Sequence, residues 1–217
     1  MKFIIRIIDL KLREISAVIH KMGDLAYQAI SIAIKENFYN GNSYHKIKEI
    51  SDILLTLNDQ IEDKAFEIIA RFQPVASDLR TIKSYMKISY DFTRLGRYAL
   101  DISYVNKHFG GLKGCNGWIF SYTMEMSEKV LNTIKISIEA LKKQNIEIAK
   151  SISEIEKDID KIYFEFLDKI IEEKNVESRI IVSSILTIRH LERIADHATY
   201  ICESIIYALT GVKEFLR

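Results

Sequence analysis

Along residues 188–205 apolar side chains return at alternating steps of three and four: Ile188, Leu191, Ala195, Ala198, Cys202 and Ile205. That spacing marks one face of an α-helix, and nothing in the stretch breaks one. Small residues at its middle allow a neighbouring helix to approach closely. Glu192, Asp196, Thr199 and Glu203 form a polar stripe along the border of this seam, because residues three or four apart share a face. The same rhythm predicts helices over about 12–39, 44–71, 77–109, 118–143, 146–173 and 176–209. The first is carried by Ile15, Val18, Met22, Leu25, Ala29 and Ile32, the second by Ile47, Ile50, Leu54, Leu57, Ile61 and Phe66.

Breakers fall between these runs. Asn40-Gly41-Asn42-Ser43 reads as a turn in which Gly41 stops one helix and Ser43 caps the next. Pro74, the sole proline, ends the second helix, and residues 110–117 hold half of the eight glycines. Shifting the chain by 99 positions lays 80–102 on 179–201: Arg80 meets Arg179, Arg94 meets Arg193, Gly96 meets Ala195 and Ala99 meets Ala198. The expected fold class is therefore all-α, with two pseudo-symmetric antiparallel three-helix bundles packed side by side. The first spans 1–109, the second 118–217, and 110–117 connects them.

Composition narrows the classes. The chain has 217 residues, 48% hydrophobic and 28% charged, with a net charge of +1 and no basic block, which argues against nucleic acid as a partner. Cys115 and Cys202 are too few for a disulfide framework and are expected to be reduced thiols in a cytoplasmic protein. The apolar start Phe3-Ile4-Ile5, Ile7-Ile8 is interrupted by Arg6 and Asp9. It is too short to span a bilayer and reads as the beginning of the first helix of a soluble, unsecreted chain.

The candidate chemistry lies in the second half. Glu192 and Asp196 stand one turn apart beside a packed seam, and Glu156, Asp160 and Tyr163 share one face of the helix over 146–173. Carboxylates on two adjacent helices can hold a hard cation between them. Chance alone supplies about four acidic pairs at this spacing in such a chain. Arg189 and Arg193 fit a solvated salt-bridge ladder equally well, so both readings stay open. In the first half Thr93, Arg97 and Tyr98 stand opposite Glu192, Asp196 and His197, while Ser51, Leu55 and Asn58 stand opposite the second acidic stripe. The frame is kept and the acids are lost; Arg97 supplies a built-in positive charge where a cation would sit. His197 lies about a third of a turn from Asp196 and is expected to be a hydrogen-bonded surface histidine. No phosphate loop, nucleotide fingerprint or nucleophile–histidine pair occurs, so an enzyme is not expected.

Three stretches resemble the PhoU family of phosphate-uptake regulators: Arg71-Phe72-Gln73-Pro74-Val75-Ala76-Ser77-Asp78-Leu79-Arg80, Leu191-Glu192-Arg193-Ile194-Ala195-Asp196-His197-Ala198-Thr199, and Ile205-Ile206-Tyr207-Ala208-Leu209-Thr210-Gly211. The resemblance implies a cytoplasmic, commonly dimeric regulator that damps phosphate uptake. Its implied partners are an ABC-type phosphate transporter, through the ATPase subunit, and in many bacteria a sensor kinase. It also implies metal bound by acidic pairs on the second and third helices of each repeat. Glu192 and Asp196 match that pattern directly, Glu156 and Asp160 less tightly, and Glu203 is the lesser candidate. The first repeat departs from it, so one metal site at most is expected. Oxygen ligands suit Mg, Mn, Ca or Fe better than a thiol-rich Zn site, although Zn stays among the candidates. Two rivals to the metal-dependent regulator remain: a carboxylate-bridged metal enzyme, and a helical interaction module without metal.

Overall fold

The computed structural model describes residues 6–39, 41–115 and 117–217. They form α1 (Ile7–Tyr39), α2 (Tyr44–Phe72), α3 (Ala76–Phe109), α4 (Trp118–Lys143), the single-turn α5 (Ile146–Lys150), α6 (Ile152–Ile171) and α7 (Ser178–Thr210). The expected apolar start at Phe3, Ile4 and Ile5 lies outside the described residues, as do Asn40 and Asn116 of the two expected turns. No described helix is long and apolar enough to cross a membrane.

α1, α2 and α3 pack on one another, as do α4, α6 and α7, and the two units meet through α3 against α7 and α1 against α4. The fold is all-α, a pair of pseudo-symmetric three-helix bundles side by side. At the centre Asp91 of α3 meets His197 of α7 at 2.8 Å, while Tyr98 of α3 meets His190 of α7 with ring centroids 6.0 Å apart. Moving up α3 from 91 to 98 moves down α7 from 197 to 190, so the two helices run antiparallel. The repeat offset carries each of these pairs onto the other, which places the pseudo-twofold axis between them.

Burial explains both the seams and the places where they differ from expectation. Ile188, Leu191, Ala195, Ala198, Cys202 and Ile205 are all buried, as their spacing demands. In α1 the buried line is Ile15, Ile19, Met22, Ala26, Ala29 and Ala33, with Val18, Leu25 and Ile32 on its flank. That helix is covered by α2, α3 and α4, so the face centre is rotated from the expected stripe. In α2 Ile61 is followed by Ala65 and Ile68, and Phe66 is 61% exposed, because 66 lies five positions from 61 and falls off the stripe. Each large side chain sealed in the core, such as Phe92 and Phe166, contributes roughly 1.5–3 kcal/mol relative to exposure.

Two local expectations need correction. Ser43 makes no side-chain cap; its N–H instead donates to the Glu36 carboxylate at 2.8 Å, tying the turn back to α1. Gly41, just past the end of α1 at Tyr39, also leaves room for that carboxylate, since a Cβ there would lie 2.3 Å from Glu36 Cγ. The single helix expected over 146–173 is divided at Ser151, whose hydroxyl donates to the Ile148 carbonyl at 2.8 Å. Pro74 does end α2, with Gln73 left-handed at φ 44°.

A candidate cation site between α6 and α7

α6 and α7 pack side by side, and their facing stripes bring Glu156, Asp160, Glu192, Asp196 and Glu203 into one patch. Glu156 is 2% exposed and Asp196 3%; Glu203 is also buried, while Asp160 and Glu192 are half-buried. The Glu156 carboxyl is pushed up to about 7 by burial and then by the charge of Asp160, with Asp196 and Glu203 adding and Arg217 opposing. Asp160 is raised by burial and by Asp196, and Glu192 by burial and by Asp196, against the pull of Arg189 and Arg193. The five carboxylates thus share one field.

Cations already answer part of that charge. Arg189 Nη1 donates to Glu192 Oε2 at 2.7 Å, and Arg193 pairs with Asp196 Oδ2, so the salt-bridge ladder admitted by the spacing is formed. Arg217, from the segment after α7, donates to Asp196 Oδ1 at 2.8 Å and to the Tyr200 hydroxyl. The backbone N–H of Leu216 donates to Glu203 Oε1 at 3.1 Å. Glu156 Oε1 and Thr199 Oγ1 are buried without a hydrogen-bond partner. Among the described residues no group of three or more His, Cys, Asp or Glu side chains converges on one point in this arrangement. Asp196 is turned into two guanidinium groups and Glu203 into the backbone. The donor chemistry nonetheless fits a hard cation: oxygen ligands only, in mutual repulsion, with one buried carboxylate oxygen unanswered.

Other sequence expectations resolve differently. His197 is hydrogen-bonded, but it is 5% exposed and pairs with Asp91, itself 2% exposed, not with solvent. α7 is covered by α3, α4 and α6, so nearly every residue from Ile194 to Ile206 is buried, and a single apolar seam underestimates its burial. Burial raises the Asp91 carboxyl, with the His197 contact opposing. Arg97 is exposed and its charge acts on Lys48, while at the second-repeat carboxylates a built-in positive charge comes from Arg217. Periodicity carried no sign of Arg217, since its contact with Asp196 spans 21 positions across a turn. The only signal was Gly211, which ends α7 at φ 78° and lets the chain fold back. Cys115 and Cys202 are both buried, and burial pushes each thiol pKa up.

The PhoU domain family matches this chain twice, over residues 19–105 and 123–205. The chain is 31% identical over 211 residues to the "Phosphate-specific transport system accessory protein PhoU homolog" of Clostridium acetobutylicum, covering 95% of each chain. It is 32% identical over 212 residues to "Phosphate-specific transport system accessory protein PhoU homolog 1" of Thermotoga maritima, covering 92% of this chain and 88% of that one. Its fold superposes on the crystal structure of PhoU from Pseudomonas aeruginosa with a TM-score of 0.85 at 25% identity, covering 94% of this chain and 99% of the other. With both repeats matched, and relatives aligned over nearly their full length, the chain belongs to the PhoU family.

Proposed function

We propose that this chain is a regulatory, non-catalytic accessory protein of a phosphate-specific transport system. In the cytoplasm it damps uptake by contact with the ATPase subunit of an ABC-type transporter, and it signals through a sensor kinase. The observation that carries the reading is the alignment of both repeats with relatives named as accessory proteins of that system. A homodimer belongs to the same reading and is measured by sedimentation equilibrium. The test is capture of the chain by the purified ATPase subunit, paired with phosphate uptake in cells lacking the gene. A complex, with uptake raised in phosphate-replete cells, supports the reading. No complex and unchanged uptake contradict it.

The same reading includes a divalent cation at the second repeat. Glu156, Asp160, Glu192 and Asp196 are the residues that would hold it, with Glu203 more remote because its Oε1 already accepts from Leu216. Mg, Mn, Ca or Fe suits this oxygen set. A bound cation supplies charge neutralisation between α6 and α7. The residues themselves set the geometry: Arg189 and Arg193 steady Glu192 and Asp196, and Tyr200 holds the guanidinium of Arg217 beside them. What supports the site is the buried, unpartnered Oε1 of Glu156 amid like charges.

A further inference from the structure

The segment following α7 is fastened across the acidic face at several points. Gly211 turns the chain at φ 78°. Glu214 then pairs with Lys150 of α5 at 2.9 Å, and the Leu216 side chain is buried while its N–H donates to Glu203 Oε1 at 3.1 Å. Arg217 reaches Asp196 Oδ1 at 2.8 Å and the Tyr200 hydroxyl, and its guanidinium lies 4.4 Å from the Tyr200 ring centroid. The segment therefore delivers a positive charge to one of the carboxylates best placed to take a cation. Close by, the buried Glu156 Oε1 is left without a partner, so the guanidinium does not satisfy the cluster.

We infer that residues 212–217 form a strap in which Arg217 is a built-in counter-cation for the α6 and α7 carboxylates, and that a divalent cation entering the cluster displaces Arg217 and frees the strap. This rests on the cation site proposed above. The exchange follows from Coulomb repulsion: a guanidinium on Asp196 Oδ1 and a doubly charged ion on the same carboxylate lie within a few ångströms of each other, in a partly desolvated place. The guanidinium is the replaceable partner. The Arg217 side chain is 42% exposed, so the guanidinium end of the pair can be rehydrated as it leaves, while Asp196 stays buried. A divalent ion carries twice the charge and takes several oxygens at once, which one guanidinium lying against Asp196 and Tyr200 does not do.

Strap release has a visible consequence. Lys213 and Phe215 form one wall of a cleft of about 220 Å³ whose other walls are Lys83 and Lys87 of α3 and Tyr207 of α7. Loss of that wall re-shapes the surface between the two central helices, so cation occupancy is converted into a change of exposed surface. Coupling of this kind is reciprocal: if the cation loosens the strap, weakening the strap tightens the cation by the same factor.

The test is Mn2+ titration calorimetry on the full chain and on Arg217→Gln, with hydrogen exchange at the Leu216 amide as a readout independent of any activity. About tenfold tighter Mn2+ binding by Arg217→Gln, together with faster Leu216 exchange in the parent once Mn2+ is added, is the expected result. Equal affinity in the two proteins, with Leu216 still protected under saturating Mn2+, overturns the strap and leaves the cation site standing. Weaker binding in Arg217→Gln also overturns it, since Arg217 would then support the ion. No Mn2+ binding by either protein removes the strap and the cation site together.

Discussion

The helix pairs α2/α3 and α6/α7 occupy equivalent places in the two repeats, and they solve the same packing problem in opposite ways. Between α2 and α3 the buried polar groups are neutral and mostly answered. Thr93, where the other repeat has Glu192, donates to the Leu54 and Ser89 carbonyls at 3.3 and 3.0 Å. Asn58 accepts from Ser89 at 2.8 Å and donates to Glu62 at 2.9 Å; Ser51 Oγ is the exception, buried and unpartnered. Between α6 and α7 five carboxylates share a field that Arg189, Arg193 and Arg217 only partly offset. The backbone frame alone does not call for acids there. Buried like charges destabilise a fold, and the cation proposed for the second repeat would offset that cost.

The sharpest way to break this comparison is to put an acid into the neutral pair. Thr93→Glu places a carboxylate in a buried position beside the Leu54 and Ser89 carbonyls, and a cost of about 3–5 kcal/mol is expected in urea denaturation. A negligible cost would mean that the two pairs are electrically alike.

Removing a charge from the acidic pair has the opposite sign. An ordinary glutamate ionises near 4.5, whereas the Glu156 carboxyl holds its proton to about 7. Between those pH values the folded chain binds more protons than the unfolded one, so stability falls as pH rises through that window and is level above it. Glu156→Gln is expected to remove that slope, adding up to about 3 kcal/mol above pH 7 and nothing below pH 4.5. Denaturation at both ends of the window measures it, without added metal.

Packing gives a smaller contrast. A Cβ at Gly96 would lie 2.5 Å from Leu54 Cδ1 and 3.6 Å from Ser51 Cα, while Ala195 already carries that methyl at the equivalent place. Gly96→Ala is expected to cost about 1–2 kcal/mol, overpacking outweighing the gain in helix propensity. The smallest effect belongs to the ladder: with the Arg189 side chain 48% exposed, Arg189→Gln should change stability by less than about 1 kcal/mol.

Much of this was legible in the sequence, for a physical reason. Helix limits at Tyr39, Phe72 and Phe109 are set by the local breakers Gly41, Pro74 and Gly110, and the acidic stripes by a local period. The rotated face of α1, the exposure of Phe66 and the burial of His197 depend on how many neighbours cover a helix, which no single seam records. Gly41 lies just past the end of α1, as expected, but its second role, leaving room for Glu36, had no local signal. Arg217 was invisible because the register of a folded-back segment is fixed by tertiary contacts, here the buried Leu216 and the Glu214–Lys150 pair.

The central claim is that the second repeat alone carries a cation site. It is tested most directly by plasma mass spectrometry of untagged protein beside the double variant Glu192→Ala, Asp196→Ala, each incubated with Mg, Mn, Fe and Zn and then dialysed. Stoichiometric metal in the parent and none in the variant is the result the account predicts. Metal retained equally by the variant, or absent from both, would contradict it.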